Sequence, residues 1–210
     1  MLSECGEAVD KPESIRRSVD ALERIYAVVV ALAITLAIQS VLFTSEDALD
    51  WNRFVRQLPA LLGFVVTAVP FYHGMDRHLS RTYIEKDVPH TKSGFLLFDF
   101  CVFFLEACIL LMFASLVGIG NEAFICLMAL LSLDSVWALA AHGIHYDTFR
   151  DSPIGWTIIN FIAIVVLALI YWTSWFAESV RPWALAIAAF LRAVADYCFC
   201  WTFYFPQATN

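Results

Sequence analysis

Charge is scarce in this chain. Asp, Glu, Lys and Arg make up only 16% of its 210 residues, against 60% hydrophobic residues. An ordinary soluble domain carries about 25% charged residues, so that class is excluded. No cleavable leader is expected either. The N-terminal stretch MLSECGEAVDKPESIRRSVD is polar and of mixed charge, and the apolar run after it is full length. That run is expected to stay in the membrane as a signal anchor. The chain has no CxxC pair, no HExxH, no GxSxG, no paired aspartates at intramembrane-protease spacing and no phosphate-cradling glycine loop. These absences leave no catalytic residue, metal ligand or cofactor to expect. An enzyme would have only the Asp and His residues of HGMDRH and HGIHYD as acid and base.

Six long apolar runs remain, at roughly 22–43, 57–75, 94–117, 122–143, 154–176 and 182–203. At about 1.5 Å per residue, each crosses or nearly crosses a hydrocarbon core about 30 Å thick. They are apolar nearly all round, unlike the striped helices of soluble proteins. The expected fold is all-α: a polytopic integral membrane protein of six transmembrane helices. A cytosolic tail (1–20) precedes a single transmembrane domain (21–210), which carries a cytosolic segment at 76–93. Lys11, Arg16, Arg17, Arg24, Arg77, Arg81, Lys86, Lys92 and Arg150 gather on the side of the N-terminus, and Arg53, Arg56 and Arg181 on the other. The positive-inside rule then places both termini in the cytoplasm, with the cell inner membrane as the location. Short connections make successive helices antiparallel neighbours. Pro59, Pro153 and Pro182 suit helix starts, and Pro70 is expected to kink the second helix. The cysteines have no pairing pattern and read as free apolar thiols.

Ionisable residues inside these runs are costly and mark an internal pair, a binding site or a pathway. Read by depth, Glu106, Asp134 and Arg192 converge near the bilayer midplane. Asp196 lies one turn from Arg192 on the same face, Asp99 two turns inward of Glu106, and Asn160 at a similar inner depth. Arg192 can neutralise one or two carboxylates and staple spans three, four and six together. Four acids against one Arg also leave surplus negative charge, to be carried as bound protons or a passing cation. The two roles are compatible.

On the first span Val28, Leu32, Thr35 and Gln39 share one helix face, with Asp20 and Glu23 just before them. Such a stripe can line a cation pore behind an acidic vestibule, or make ordinary interhelical contacts. His73 and His142 fall near the cytoplasmic interface and His78 and His145 just outside it, where anchoring or proton sensing is expected rather than metal binding. The His-Gly echo between PFYHGMDRHL and ALAAHGIHYDTF reads as interfacial convergence. Arg16, Arg17, Arg77, Arg81, Lys86 and Lys92 form a candidate cytosolic basic patch for anionic headgroups. A cytosolic protein or a nucleotide-type ligand is a further candidate partner there.

The segment Leu22-Glu23-Arg24-Ile25-Tyr26-Ala27-Val28, leading into Ala31-Leu32-Ala33-Ile34-Thr35, resembles the first helix of the endolysosomal potassium channel family and its bacterial relatives. FYHGMDRHL is similar to that family's aromatic-Asn-His-His ending of the second helix. Ile25-Tyr26-Ala27 stands where the family has Phe-Ser-Asp, so the polar network that orders the family's helices is replaced. The resemblance implies a homo-oligomer, with a tetramer favoured, whose first helix lines a pore for inorganic cations. Leu32 would be the gate and Thr35 the pore threonine. At class level the chain is also similar to small membrane effectors of bacterial anti-phage defence.

The leading expectation is therefore a gated cation channel or depolarising effector. A proton-coupled transporter working through Glu106, Asp134 and Asp196 stands beside it, and so does a membrane sensor or scaffold that recruits a cytosolic partner.

Overall fold

The computed structural model describes residues 11–43, 50–85, 93–145 and 154–205. Seven α-helices occur among them: α1 Lys11–Leu42, α2 Trp51–Leu79, α3 Ser93–Leu116, α4 Ala123–His145, α5 Ile154–Trp172, α6 Arg181–Phe199 and the short α7 Trp201–Tyr204. A π-helical segment, Ser80–Glu85, continues α2. No strand occurs among the described residues. Helices α1 to α6 are long and apolar enough to cross a membrane. The chain is thus all-helical with six candidate spans, close to the six runs legible in the sequence.

Local chemistry sets several of the boundaries. Asp50 caps α2 by accepting a hydrogen bond from the Arg53 amide at 3.0 Å, which satisfies one of the orphan donors of the first turn. Proline stands in the first turn of α6, where its missing N–H costs nothing. Pro59 and Pro70 both lie within α2, and both are buried. Gly120, in the turn before α4, adopts a φ of 112°, which glycine tolerates without strain.

Gly118 is required by a close approach instead. A Cβ there would sit 2.5 Å from the Ser40 carbonyl oxygen, pinning the turn after α3 to the end of α1. Gly118→Ala is therefore expected to lower stability by about 1–3 kcal/mol, the usual cost of overpacking. A thermal melt of the detergent-solubilised protein checks this, and an unchanged midpoint refutes it.

The helices close a ring. α1 packs on α2 and α3, α3 on α4, α4 on α5, α5 on α6, and α6 returns to α2, which also touches α3 and α4. This corrects one expectation of simple succession. α3 packs chiefly on α1, and α2 on α6. With the π-helical segment counted, thirteen residues separate α2 from α3, more than separate any other two successive spans, and loop-closure cost rises only slowly with length, so this stretch can carry the chain past its immediate neighbour.

Two polar pieces expected outside the bundle are partly built into it. Residues 11–20 continue the helix of the first span, and Val19 is buried. The segment 76–93 is helical through Glu85 and packs on α1, burying His78, Thr82 and Tyr83. The physical reason is the apolar content of these pieces (Val19, Leu79, Tyr83), which needs a partner surface.

The bundle interior divides into two halves along its axis. One half, built from the start of α2, the end of α3 and the start of α4, is apolar: Phe64, Leu110, Phe113, Phe124 and Leu127 are fully buried. Phe64 and Phe113 meet edge-on at 5.3 Å, a favoured aromatic geometry. Gly63 lets the Phe124 ring close against the α2 backbone, since a Cβ there would lie 2.8 Å from it. The other half holds the buried polar residues.

Candidate functional site

The polar half is formed by the end of α2 with its π-helical segment, the start of α3, the end of α4, the start of α5, the end of α6 and α7. Asp99, Glu106, Asp134, Asn160, Arg192, Asp196 and His78 are all buried there. The depth reading of the sequence brought the four acids and the arginine to one half. Their partners are different from those expected, and they form two clusters.

The first cluster surrounds Asp99. His78 Nε2 lies 2.9 Å from Asp99 Oδ2, Tyr83 donates its hydroxyl to the same oxygen at 2.7 Å, and Trp137 Nε1 donates to Oδ1 at 3.0 Å. Thr82 Oγ1 stands 3.5 Å from the other ring nitrogen of His78. His78 was expected outside the membrane interface; it is instead fully buried and paired with Asp99. Trp137 stacks edge-on against the His78 ring at 4.7 Å, which fixes the imidazole plane. The sequence marked Asp99 and His78 but not their partners, because Tyr83 falls in the polar segment 76–93 and Trp137 looks like an ordinary apolar position.

The second cluster surrounds Arg192. Its Nε and Nη2 both donate to Asn160 Oδ1, at 3.0 and 2.8 Å, and its Nη1 lies 3.3 Å from Asp196 Oδ2. Asn160 Nδ2 in turn donates to Asp134 Oδ2 at 2.6 Å. Tyr204 of α7 donates to Asp196 Oδ1 at 3.1 Å. The Arg192 guanidinium also lies 5.1 Å from the centre of the Phe71 ring, within cation–π range. The expected staple of spans three, four and six is therefore corrected: Arg192 reaches Asp134 of α4 only through Asn160 of α5. Arginine's fork suits two donors to a single amide oxygen, and Asn160 alone can accept from one side and donate to the other.

Glu106 belongs to neither set of hydrogen bonds. It is 1% exposed, and its Oε1 has no hydrogen-bond partner among the described residues. It lines a small cavity, about 20 Å³ in volume, together with Asp134, Arg192, Asp196, Trp156 and Tyr204. Three carboxyl groups thus face one guanidinium across a space about the size of a water molecule.

At the rim of this half, His73 Nδ1 is 3.3 Å from the Tyr197 hydroxyl, and its ring packs at a tilt against Tyr204 at 4.8 Å. Burial pushes the Tyr204 phenol well above its ordinary range, and the nearby Asp196 adds to this, so Tyr204 keeps the proton it donates. Burial likewise pushes the Cys200 thiol up to about 12. Cys200 is therefore protonated and unreactive at neutral pH.

The other expected site residues lie elsewhere. Val28 and Leu32 are 59% and 57% exposed, and Thr35 and Gln39 share that outer surface of α1. Thr35 donates to its own helix, to the Ala31 carbonyl at 2.9 Å. Asp20 and Glu23 are half-buried, and Glu23 faces Ser80 and Asp76 at the end of α2. Tyr26, inside the motif that resembles the channel family, is buried with its ring stacked on Tyr72 at 6.3 Å.

Arg16 and Arg17 are exposed, and Arg17 pairs with Glu13. Arg77 pairs with Glu85 at 2.8 Å and donates to the Phe203 carbonyl at 3.3 Å, while Arg81 lies over the Phe203 ring. Lys86 and Lys92 fall outside the described residues, and His145 lies in α4 with no described side chain. Among the described residues no group of three or more His, Cys, Asp or Glu side chains is placed to hold a metal ion. No family model, no curated protein and no solved structure matches this chain.

Proposed function

We propose that this chain is a multi-pass membrane protein that transports protons through the acids of its internal chamber. One observation carries the reading. Glu106, Asp134 and Asp196 line a single cavity inside the protomer against one guanidinium. Surplus buried carboxylate is stable only when a proton or cation neutralises it, so the site binds and releases positive charge as access changes. A transporter needs its acids around a cavity within each subunit, which is where these lie. The apolar half of the bundle, with Phe64, Phe113 and Phe124, acts as the closed gate. With both termini cytoplasmic, as the Lys/Arg asymmetry supports, the chamber is in the cytoplasmic half of the cell inner membrane.

The test is proton flux in liposomes loaded with a pH-sensitive dye, driven by a potassium diffusion potential. The wild-type protein should acidify or alkalinise the lumen according to the sign of the potential. Glu106→Gln should reduce the rate at least about tenfold, because an amide carries no exchangeable charge. Equal rates for the two proteins, or no flux above empty liposomes, would overturn the reading.

A second reading is favoured by a separate observation. Val28, Leu32, Thr35 and Gln39 all lie on the outer surface of α1, where only another subunit or lipid can meet them. In this reading the chain is a homo-oligomeric cation channel, or a depolarising effector of that kind. Its pore runs between subunits, Leu32 is the gate and Asp20 and Glu23 draw cations in. Cysteine at position 32 would then form an intersubunit disulfide across the axis, and its failure to cross-link in membranes would speak against a shared pore.

A further inference from the structure

Two atoms facing the chamber decide what it can hold. Glu106 Oε1 and Arg192 Nη1 are both buried without a hydrogen-bond partner among the described residues, and both residues line the same cavity. Arg192 Nη1 is 3.3 Å from Asp196 Oδ2, close enough for an ion pair but without an aligned hydrogen bond. Trp156 Nε1 is a third such atom and the second donor, turned toward Asp196 and Cys200 without good geometry to either. Buried polar groups of this kind are costly unless satisfied.

The chemistry of the occupant follows from the set. A metal cation would meet the N–H edges of Arg192 and Trp156, which repel it. A halide or other anion would meet three carboxyl groups. A neutral dipolar molecule that accepts from Arg192 and donates to Glu106 satisfies both sides. The cavity measures about 20 Å³, and a water molecule needs roughly 10–15 Å³ and two to four polar partners. We propose that the chamber holds one water molecule, hydrogen-bonded between Arg192 Nη1 and Glu106 Oε1, and that this water makes the site specific for protons over metal cations. Its proton-carrying role rests on the transport reading given above. The water takes a proton from the Glu106 carboxyl and gives one up to the Asp134 or Asp196 carboxylate that lines the same cavity, and no larger ion enters.

Gly74 supplies the test. It lines the same cavity, and a Cβ there would meet Tyr204 Oη at 3.4 Å and the Trp156 ring at 3.6 and 3.8 Å, which are ordinary contacts. Gly74→Ala therefore folds without strain and fills the space without touching a carboxyl group or the guanidinium. Infrared spectra of the purified protein in nanodiscs, recorded in H2-16O and H2-18O, read the water directly. Wild type should show a narrow, isotope-sensitive O–H band of strongly hydrogen-bonded water. Gly74→Ala should lose it, and Glu106→Gln should shift it because an amide replaces the carboxyl acceptor. No isotope-sensitive band in wild type, a band that survives Gly74→Ala, or one unshifted in Glu106→Gln overturns the proposal. Flux measured on the same preparations separates the two ideas. Glu106-dependent proton flux without the band removes the water and keeps transport. The band without any flux keeps the water and removes transport.

Discussion

Arg192→Ala is expected to cost about 3–5 kcal/mol, the penalty for leaving a buried charge partner uncompensated. For a chain of this length that corresponds to roughly 6–20 °C in melting midpoint. The reason is the number of groups that lose their partner together. Asn160 Oδ1 loses two donors, at 3.0 and 2.8 Å, and Asp196 loses its cation at 3.3 Å. Asp134 keeps its 2.6 Å bond from Asn160 but loses the positive charge behind it. Phe71 loses a cation over its ring.

Arg192→Lys should fall between wild type and alanine. A lysine restores charge but cannot place two donors on one amide oxygen and a third near Asp196. Arg192→Met combined with Asp196→Asn should regain part of the loss, since removing both members of a buried pair costs less than removing one. Fluorescence-detected size-exclusion melts in detergent measure all three variants. A midpoint for Arg192→Ala within about 2 °C of wild type would show that the arginine holds nothing together.

Asp99→Ala should be of comparable severity. Three donors converge on that carboxylate, from His78, Tyr83 and Trp137, and each buried group left without a partner costs about 1–3 kcal/mol. The damage spans three structural pieces: the end of α2 with its π-helical segment, the start of α3 and the end of α4. Asp99→Asn should be milder, because the amide keeps one oxygen acceptor while setting an N–H₂ group against the remaining donors. The expected signs are a large fall in folded yield and melting midpoint for alanine and a smaller fall for asparagine. Equal effects of the two variants would mean that charge, rather than the number of acceptors, holds the cluster. Proton flux gives a second measure. Asp99 lies outside the Glu106 cavity lining, so any Asp99→Asn protein that folds should keep its flux dependence on Glu106.

Much of this architecture is legible in one dimension. Runs rich in Leu, Ile, Val and Phe leave the backbone no option in a bilayer but to satisfy its hydrogen bonds internally, so six runs become six helices. Counting residues along those helices also sets depth. It brings Asp99, Glu106, Asp134, Arg192 and Asp196 into the same half of the bundle, opposite Phe64 and Phe113. Asn160 was visible in the same way, as an amide inside an otherwise apolar span.

Depth along an axis says nothing of rotation about it or of which helix stands alongside. Those quantities depend on how six surfaces pack at once. Only the tertiary structure decided that α3 lies on α1 and α2 on α6, that Asn160 stands between Arg192 and Asp134, and that Asp99 belongs to His78, Tyr83 and Trp137. Tyr204 illustrates the limit. Near the chain's end it reads as an interfacial aromatic, yet α7 folds back to place its hydroxyl on Asp196 at the chamber wall. The sequence by itself determined how many helices there are and at what level the charges sit, because hydrophobic length and helical rise are local. The pairing of those charges, and the cavity they enclose, were decided by packing between residues as far apart in the chain as Asp134, Asn160 and Arg192.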